Sequence, residues 1–353
     1  MAEMLNIADW STLWVGALFI VAAMVIVIAG TKLARVAEQL AIVTGLGQAV
    51  TGAVMLGLTT SLSGTIVSVS AAWRGDAELA VSNSIGGITA QTVFLAIADF
   101  FHHRKNLEHA AASSANMFQL GLLISLLGLI LVAFTGPEFT VWHVHPVTIL
   151  LPIAWVAGTI VAYRTQEDPG WRPAGSGPDV ESDRDVGEVE ATVQTSSKKL
   201  WLGLFVLGSL VIVGGLALSL TAPRIASETG LSQSAVGALL TATITSLPEL
   251  VTTIAAVRNG ALVLAVGDII GGNAFDTLFT AVADLAYTPG SIYHAASGRE
   301  VFLTTLTVAM SGVLMMGLVG REKHGIARIG SESTLILIIY AVGMGLLLMM
   351  GGG

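Results

Sequence analysis

The 353-residue chain has no cysteine, which excludes a disulfide framework, a thiolate metal site and a cysteine nucleophile. Charge is scarce. Asp, Glu, Lys and Arg make up 11% of the residues against 54% hydrophobic, and mean hydropathy is +0.79, which removes the chain from the soluble globular class. Neither lysine nor arginine occurs within any of the long apolar runs, so carboxylates inside those runs need a counter-charge from elsewhere. The sequence carries no phosphate-binding loop, nucleophile–base pair or metal-hydrolase motif, so an enzyme is not expected and no cofactor is implied. The first run has neither a basic flank nor an Ala-x-Ala-like cleavage site and reads as a retained helix. The formal charge of −8 comes largely from one loop and leaves no footprint for a nucleic-acid partner.

What is present is length in apolar sequence. A membrane-spanning helix needs about 20 mostly apolar residues. Ten runs qualify: Leu13–Gly30, Gly47–Val69, Leu79–Phe101, Met117–Phe134, Pro146–Tyr163, Leu200–Leu220, Val236–Val257, Ala261–Leu285, Val301–Leu318 and Leu335–Met350. The reading is an all-α membrane protein of ten transmembrane helices, with the lipid bilayer as its first partner. Lys and Arg collect on the cytoplasmic side of such helices. With the N-terminus outside, 13 of the 16 basic residues fall inside, and only Arg74, Arg224 and Arg299 fall outside. Both termini are therefore expected to be extracytoplasmic, in the plasma membrane of a prokaryote.

Residues 52–99 align without gaps onto 237–284 at an offset of 185, with 18 of 48 positions identical, among them Thr60/Thr245, Ser61/Ser246, Gly86/Gly271, Gly87/Gly272 and Asp99/Asp284. Five spans per copy is an odd number, so the second copy enters the membrane from the opposite side. Inverted repeats of this kind place a transport site near the midplane, where interrupted helices from both halves meet. Three parts are expected: a first five-helix repeat over 1–165, an acidic cytoplasmic linker over 166–199 rich in Gly, Pro and Ser, and a second five-helix repeat over 200–353. In the linker, Asp179, Glu181, Asp183, Asp185 and Glu190 alternate as in a calcium loop. Arg184, however, stands where the turn glycine is needed, so a solvated linker is the reading preferred.

Two pieces carry chemistry. In the seventh run Thr241, Thr245, Glu249 and Thr252/Thr253 share one helix face, and Pro248 is expected to kink the helix and free carbonyls near Ile244. In the eighth, Asp268, Gly272 and Asp276 share a face, with Asn273 one residue round and the pair Gly271–Gly272 between the acids. A carboxylate inside the bilayer costs at least about 2.5 to 3.5 kcal/mol on insertion scales and is a functional-site hypothesis by default. The counter-charge here must be a bound cation or a proton, which argues against an anionic substrate and for cation or proton traffic. Asp99 and Asp284, at the outgoing ends of the third and eighth runs, read equally as caps or as relay groups.

These residues resemble the cation/calcium exchanger superfamily and, within it, the sodium/calcium exchangers. The resemblance rests on Thr245-Ser246-Leu247-Pro248-Glu249, Gly267-Asp268, Gly271-Gly272-Asn273 and Asp276, and it covers the whole topology. It implies a secondary active cation antiporter working by alternating access, in which the first and sixth spans rock or slide beside a midplane site. The implied ligands are Glu249, Asp276, Asp268, Thr245, Ser246 and Asn273, with Thr60, Ser61, Asn83 and Gln91 from the first repeat. The first repeat departs from the pattern: Ser63 stands where Pro is expected, Gly64 where Glu is, and Gln91 where Asn or Asp is. The transported ions are then Na+, Ca2+ or H+. The resemblance implies Na+/Ca2+ exchange. Gly64 and Gln91 motivate Na+/H+ exchange as the alternative, and a transport-inactive or channel-like protein is a third. Oligomeric state is left open.

Overall fold

The computed structural model describes residues 9–44, 53–100, 107, 111–167, 196–320 and 330–350. Most of the acidic linker, the basic cluster Arg321–Arg328 and His102, His103, His109 and His324 lie outside these.

The described chain is almost entirely helical: α1 (Thr12–Thr44), α2 (Ala53–Thr60), α3 (Leu62–Trp73), α4 (Ala77–Asp99), α5 (Ser114–Thr135), α6 (Pro146–Glu167), α7 (Ser197–Thr229), the short α8 (Gln233–Ala235), a π-helical turn over Val236–Thr241, α9 (Ala242–Arg258), α10 (Leu262–Ala286), the short α11 (Ile292–Ala295), α12 (Gly298–Gly320) and α13 (Ser331–Met349). Nine helical stretches among the described residues are long and apolar enough to cross a bilayer. The second of the ten expected spans is instead two helices, α2 and α3, broken at Ser61. Hydrogen bonds still bracket the break, from Ser61 N–H to Gly57 O (2.9 Å) and from Thr65 N–H to Ser61 O (3.0 Å).

Pro248, where a kink is expected, lies inside a continuous helix. Helix α9 continues through Pro248, and a π-turn lies about two turns earlier. Near the proline, Thr245 O accepts a hydrogen bond from Ser63 Oγ at 3.1 Å, so a side chain of the first repeat serves the carbonyl next to the one that Pro248 cannot serve.

Helix α4 is the pillar of the fold. Its mean hydropathy is low for a membrane span, yet 94% of its apolar window is buried by protein, so its polar residues meet side chains and not lipid. It packs on α9, α10, α3, α12 and α13. Gly86 of α4 and Gly237 of the π-turn permit the closest approach: a Cβ on Gly86 would stand 2.6 Å from Ala238 Cα. Helices α1 and α7, each 33 residues long, lie against each other on one side of this core. Their outward faces carry Leu13, Trp14, Ile20, Met24, Ile28, Leu202, Phe205 and Val213, all exposed and apolar, as a lipid-facing surface requires.

The 185-residue offset recurs in the backbone. Gly75 and Gly260, equivalent positions, both adopt positive φ (87° and 84°) where α3 and α9 end. Each closes the same 6→1 turn, through Asp76 N–H to Ala71 O and Ala261 N–H to Ala256 O. Asp99 and Asp284 are also used alike. Asp99 Oδ1 accepts from Leu107 N–H and Oδ2 from Gly330 N–H, while Asp284 Oδ1 accepts from Ile292 N–H and Oδ2 from His145 N–H, all at 2.8–2.9 Å. Leu107 and Ile292, and His145 and Gly330, are again 185 apart. Each aspartate thus holds the start of the last helix of the other half, which assigns both a capping role.

Candidate cation site

Four helices bring polar side chains to one point between the two halves. Asp276, on α10, is 2% exposed; its Oδ1 accepts from Ser61 Oγ at 2.6 Å and its Oδ2 from Gln91 Nε2 at 2.8 Å. Gln91 Nε2 also reaches Ser246 Oγ at 3.3 Å. Ser61 is placed there by the break between α2 and α3, Gln91 by the enclosed α4, and Ser246 by α9. Glu249, one turn beyond Ser246 on the same face, is 9% exposed and lies within electrostatic range of Asp276; its Oε2 has no hydrogen-bond partner among the described residues. Asn273 Oδ1 is likewise buried without a partner, while its Nδ2 meets Thr92 Oγ1 at 3.4 Å.

An unpartnered carboxylate oxygen at this depth is costly unless something positive fills the gap. The neighbouring groups are oxygens or amide donors, and among the described residues no three acidic or histidine side chains converge as a metal cage would require. The arrangement supplies two carboxylates, hydroxyls and carboxamide oxygens. That is a donor set for a hard cation or for protons.

The structure therefore brings together Glu249, Asp276, Ser246, Ser61 and Gln91, with Asn273 beside them. Thr245 and Thr60 lie at the same level, but their hydroxyls donate to carbonyls of their own helices, Ala242 O at 3.1 Å and Gly57 O at 3.3 Å. Asn83 is set apart: its Nδ2 donates to Gly64 O (3.1 Å) and Ser68 Oγ (2.9 Å), and its Oδ1 accepts from Thr241 Oγ1 (2.8 Å), so it fastens α4 to α3 and to the π-turn. Asp268 is also apart. It lies eight residues before Asp276, about 12 Å along the helix, where it is exposed and faces Glu38 of α1.

Sequence reasoning missed Ser84 and Thr280, whose hydroxyls pair at 3.0 Å while Ser84 Oγ also donates to Asp276 O at 3.2 Å. The signal was available. Ser84 lies seven residues before Gln91 and Thr280 four after Asp276, each on the face of its helix that bears the site residue.

The fold is that of a membrane protein built on an inverted repeat, and the donor set between its halves suits a cation. Comparison with known proteins takes this further. A family model described as sodium/calcium exchanger protein matches residues 14–164 and 199–349, and the chain belongs to that family of antiporters. CaxA of Alkalimonas amylolytica is 27% identical over 295 residues, 83% of this chain and 85% of that protein. The inner membrane protein YrbG of Escherichia coli (strain K12) is 27% identical over 300 residues, 84% and 87% of the two chains. Among solved structures, the H+/Ca2+ exchanger CAX superposes with a TM-score of 0.68 at 11% identity, covering 96% of this chain and 86% of that one. The sodium-calcium exchanger NCX_Mj superposes at 0.59 with 18% identity, covering 95% and 99%. At these identities the structural likeness carries the fold.

Proposed function

We propose that the chain exchanges Ca2+ for protons across a prokaryotic plasma membrane, with Glu249 and Asp276 as the groups that bind either one calcium ion or two protons. The observation that carries this reading is the buried Glu249 Oε2, which has no hydrogen-bond partner among the described residues, close to a second carboxylate. Two carboxylates carry a charge of −2, which one divalent ion or two protons neutralise. An exchange on those terms moves no net charge. Competing occupancy of the same pair supplies the coupling, because a carboxylate that holds a proton no longer offers a full negative charge to a cation.

Protons are favoured over sodium as the counter-ion because the oxygens that a flanking sodium ion would use are engaged or missing. Ser61 Oγ is committed to Asp276, and the Gln91 amide presents its N–H between Asp276 and Ser246, where a cation would be repelled. Gly87, beside Ser246 Oγ, and Gly272, beside Gln91 Oε1, add no side-chain oxygen. Helices α1 and α7 are the elements we assign to alternating access. Gly30 of α1 rides on the Pro248 ring next to Glu249, and Gly215 of α7 sits against Ile66 of α3. The two repeats are taken as 1–165 and 200–353, with both termini on the outer side as the basic residues suggest.

Proteoliposomes test the proposal directly. Calcium uptake driven by an acid-inside pH gradient without sodium, and indifferent to a potassium–valinomycin potential, supports it. Uptake that needs an outward Na+ gradient replaces it with Na+/Ca2+ exchange. A sodium-dependent pH change without calcium flux replaces it with Na+/H+ exchange, and no flux under any gradient marks a protein that does not transport.

A further inference from the structure

The internal repeat sets Gly64 opposite Glu249, so one half of the site offers a carboxylate and the other nothing. The space is not left open. A Cβ built on Gly64 would stand 3.0 Å from Phe279 Cε2, tighter than ordinary side-chain contacts, and 3.7 Å from Thr245 Oγ1. Phe279 lies three residues after Asp276 on α10, on the same face, and is 4% exposed. Thr245 lies one turn before Glu249. The ring edge therefore occupies the volume that a side chain at 64 would enter, about one helical turn along from the two carboxylates.

We infer that Phe279 and Gly64 form a matched pair that sets the ion selectivity of the site, the ring acting as an apolar wall that holds the carboxylate count at two and keeps water off the side opposite Glu249. The ring is braced to do this. Phe279 packs edge-on against Phe275 (centroids 6.1 Å apart, planes at 87°), and Phe275 packs against Trp155 of α6 (5.3 Å, 67°). The ladder runs from the lipid-facing helix α6 to the site and leaves the ring little freedom to move aside. A hard cation held by Glu249 and Asp276 meets oxygens at their own level and an aromatic edge about one helical turn away. The edge carries partial positive charge, so it coordinates no cation. Ions that demand six to eight oxygens find fewer here than in a cage with acids on both walls. A glycine at 64 suits the wall: even a Cβ there stands 3.0 Å from the ring edge, so the braced ring would have to give way by a few tenths of an ångström, and more for a longer side chain. The inference rests on Glu249 and Asp276 being the cation site, and it names the residues that limit what that site accepts.

A double-variant cycle tests it, using the full-length protein in detergent and in proteoliposomes with Ca2+, Sr2+, Mn2+ and Na+ as probes. Gly64→Glu alone is expected to lower the thermal midpoint without ions and to abolish calcium flux, because the ring blocks the new side chain. Phe279→Ala, or Phe279→Leu if the alanine variant does not fold, is expected to fold and to lose discrimination among the divalent ions. Gly64→Glu combined with either is expected to recover the midpoint lost by Gly64→Glu and to bind Ca2+ roughly tenfold or more tightly than the starting protein, since ligand charge sets affinity in such sites. Additive midpoints, with the double variant no more stable than the sum of the singles, overturn the matched pair. A double variant that is folded, recovers the midpoint and binds the four ions as the starting protein does overturns the selectivity role. Failure of the antiport reading shows elsewhere, as absence of flux in the starting protein, while the ion-free midpoints still read the pairing of 64 with 279.

Discussion

The carboxamide of Gln91 donates to the carboxylate of Asp276 at 2.8 Å, and these two residues are each other's equivalents in the internal repeat. The contacts beside them are mirrored as well: Ser61 meets Asp276, and its equivalent Ser246 meets Gln91. The Gln91–Asp276 pair therefore flanks the pseudo-twofold axis, with an amide where a fully symmetric site would have a second acid. Gln91→Asp removes the donor and sets two carboxylates near each other, which raises their affinity for a proton. The pH at half-maximal calcium uptake is expected to rise by about one unit or more. Uptake rates against pH in proteoliposomes check this, and an unshifted profile would mean that residue 91 does not sense the site's protons.

Glu249 carries the larger burden because its Oε2 has no alternative partner among the described residues. Glu249→Gln is expected to reduce flux to background by every route, with a thermal midpoint at or above that of the starting protein, since a neutral amide is less costly to bury than a carboxylate. Ser61→Ala removes one charge-assisted hydrogen bond to Asp276, worth about 1.5–3 kcal/mol, and is expected to weaken cation binding about tenfold or more while leaving some flux. Near-normal transport by Glu249→Gln would remove the proposed site.

The spans and the inverted repeat were legible because apolar length and an ungapped self-alignment report directly on the membrane and on symmetry. Glu249, Ser246 and Asp276, each conspicuous in apolar surroundings, could be nominated as candidates from sequence, and the structure brings them near one another. Other assignments depended on geometry that periodicity does not carry. Asp268 shares a helix face with Asp276, yet two turns of helix separate them, so a common face did not mean a common site. Pro248 was expected to kink its helix; α9 runs on through it, and the π-turn before it, where Gly237 yields to α4, is an irregularity that periodicity did not announce. The roles of Asp99 and Asp284 could not be chosen from sequence because their partners, among them the backbone N–H groups of Leu107, Gly330, Ile292 and His145 and the Thr148 hydroxyl, lie beyond the aligned segments. Phe279 gave only a weak signal, its identity with Phe94 in the internal repeat, since an aromatic in a membrane helix is ordinary and its distance from Gly64 is what informs.

Arg74 joins the core to α7 at a point prepared by a proline. Pro223 has no N–H, so the carbonyl four residues back, Ser219 O, has no helical donor. The Arg74 guanidinium donates to that carbonyl and to Ser219 Oγ, the latter at 2.7 Å, while Asp76 sits 3.4 Å from Arg74 Nε. Arg74→Ala is expected to destabilise the protein by about 1–3 kcal/mol through the unsatisfied carbonyl. Adding Pro223→Ala should restore part of the loss by supplying the missing N–H. Thermal unfolding of the single and double variants checks this, and a double variant no more stable than Arg74→Ala would show that the guanidinium does not stand in for the proline's absent donor.

His145 gives the fold a dependence on pH separate from transport. Its ring is 7% exposed, Nδ1 accepts from Val147 N–H at 3.2 Å, and the rings of His294 and Tyr293 lie 5.5 and 5.3 Å away. Burial, reinforced by His294 and opposed by Asp284, lowers its pKa below the ordinary 6.5. The folded protein therefore binds fewer protons here than the unfolded chain. The stability this group contributes is present above about 6.5 and is lost as pH falls from there through the lower folded-state pKa. Protonating Nδ1 also removes the acceptor for Val147 N–H at the first turn of α6, beside the Asp284 clasp. His145→Asn keeps an acceptor and the backbone N–H that Asp284 holds, but it does not titrate. The fall in thermal midpoint between about pH 6.5 and 5 is expected to be shallower in this variant than in the starting protein, while midpoints at pH 8 stay close. Equal slopes in the two proteins would assign the acid sensitivity to another group.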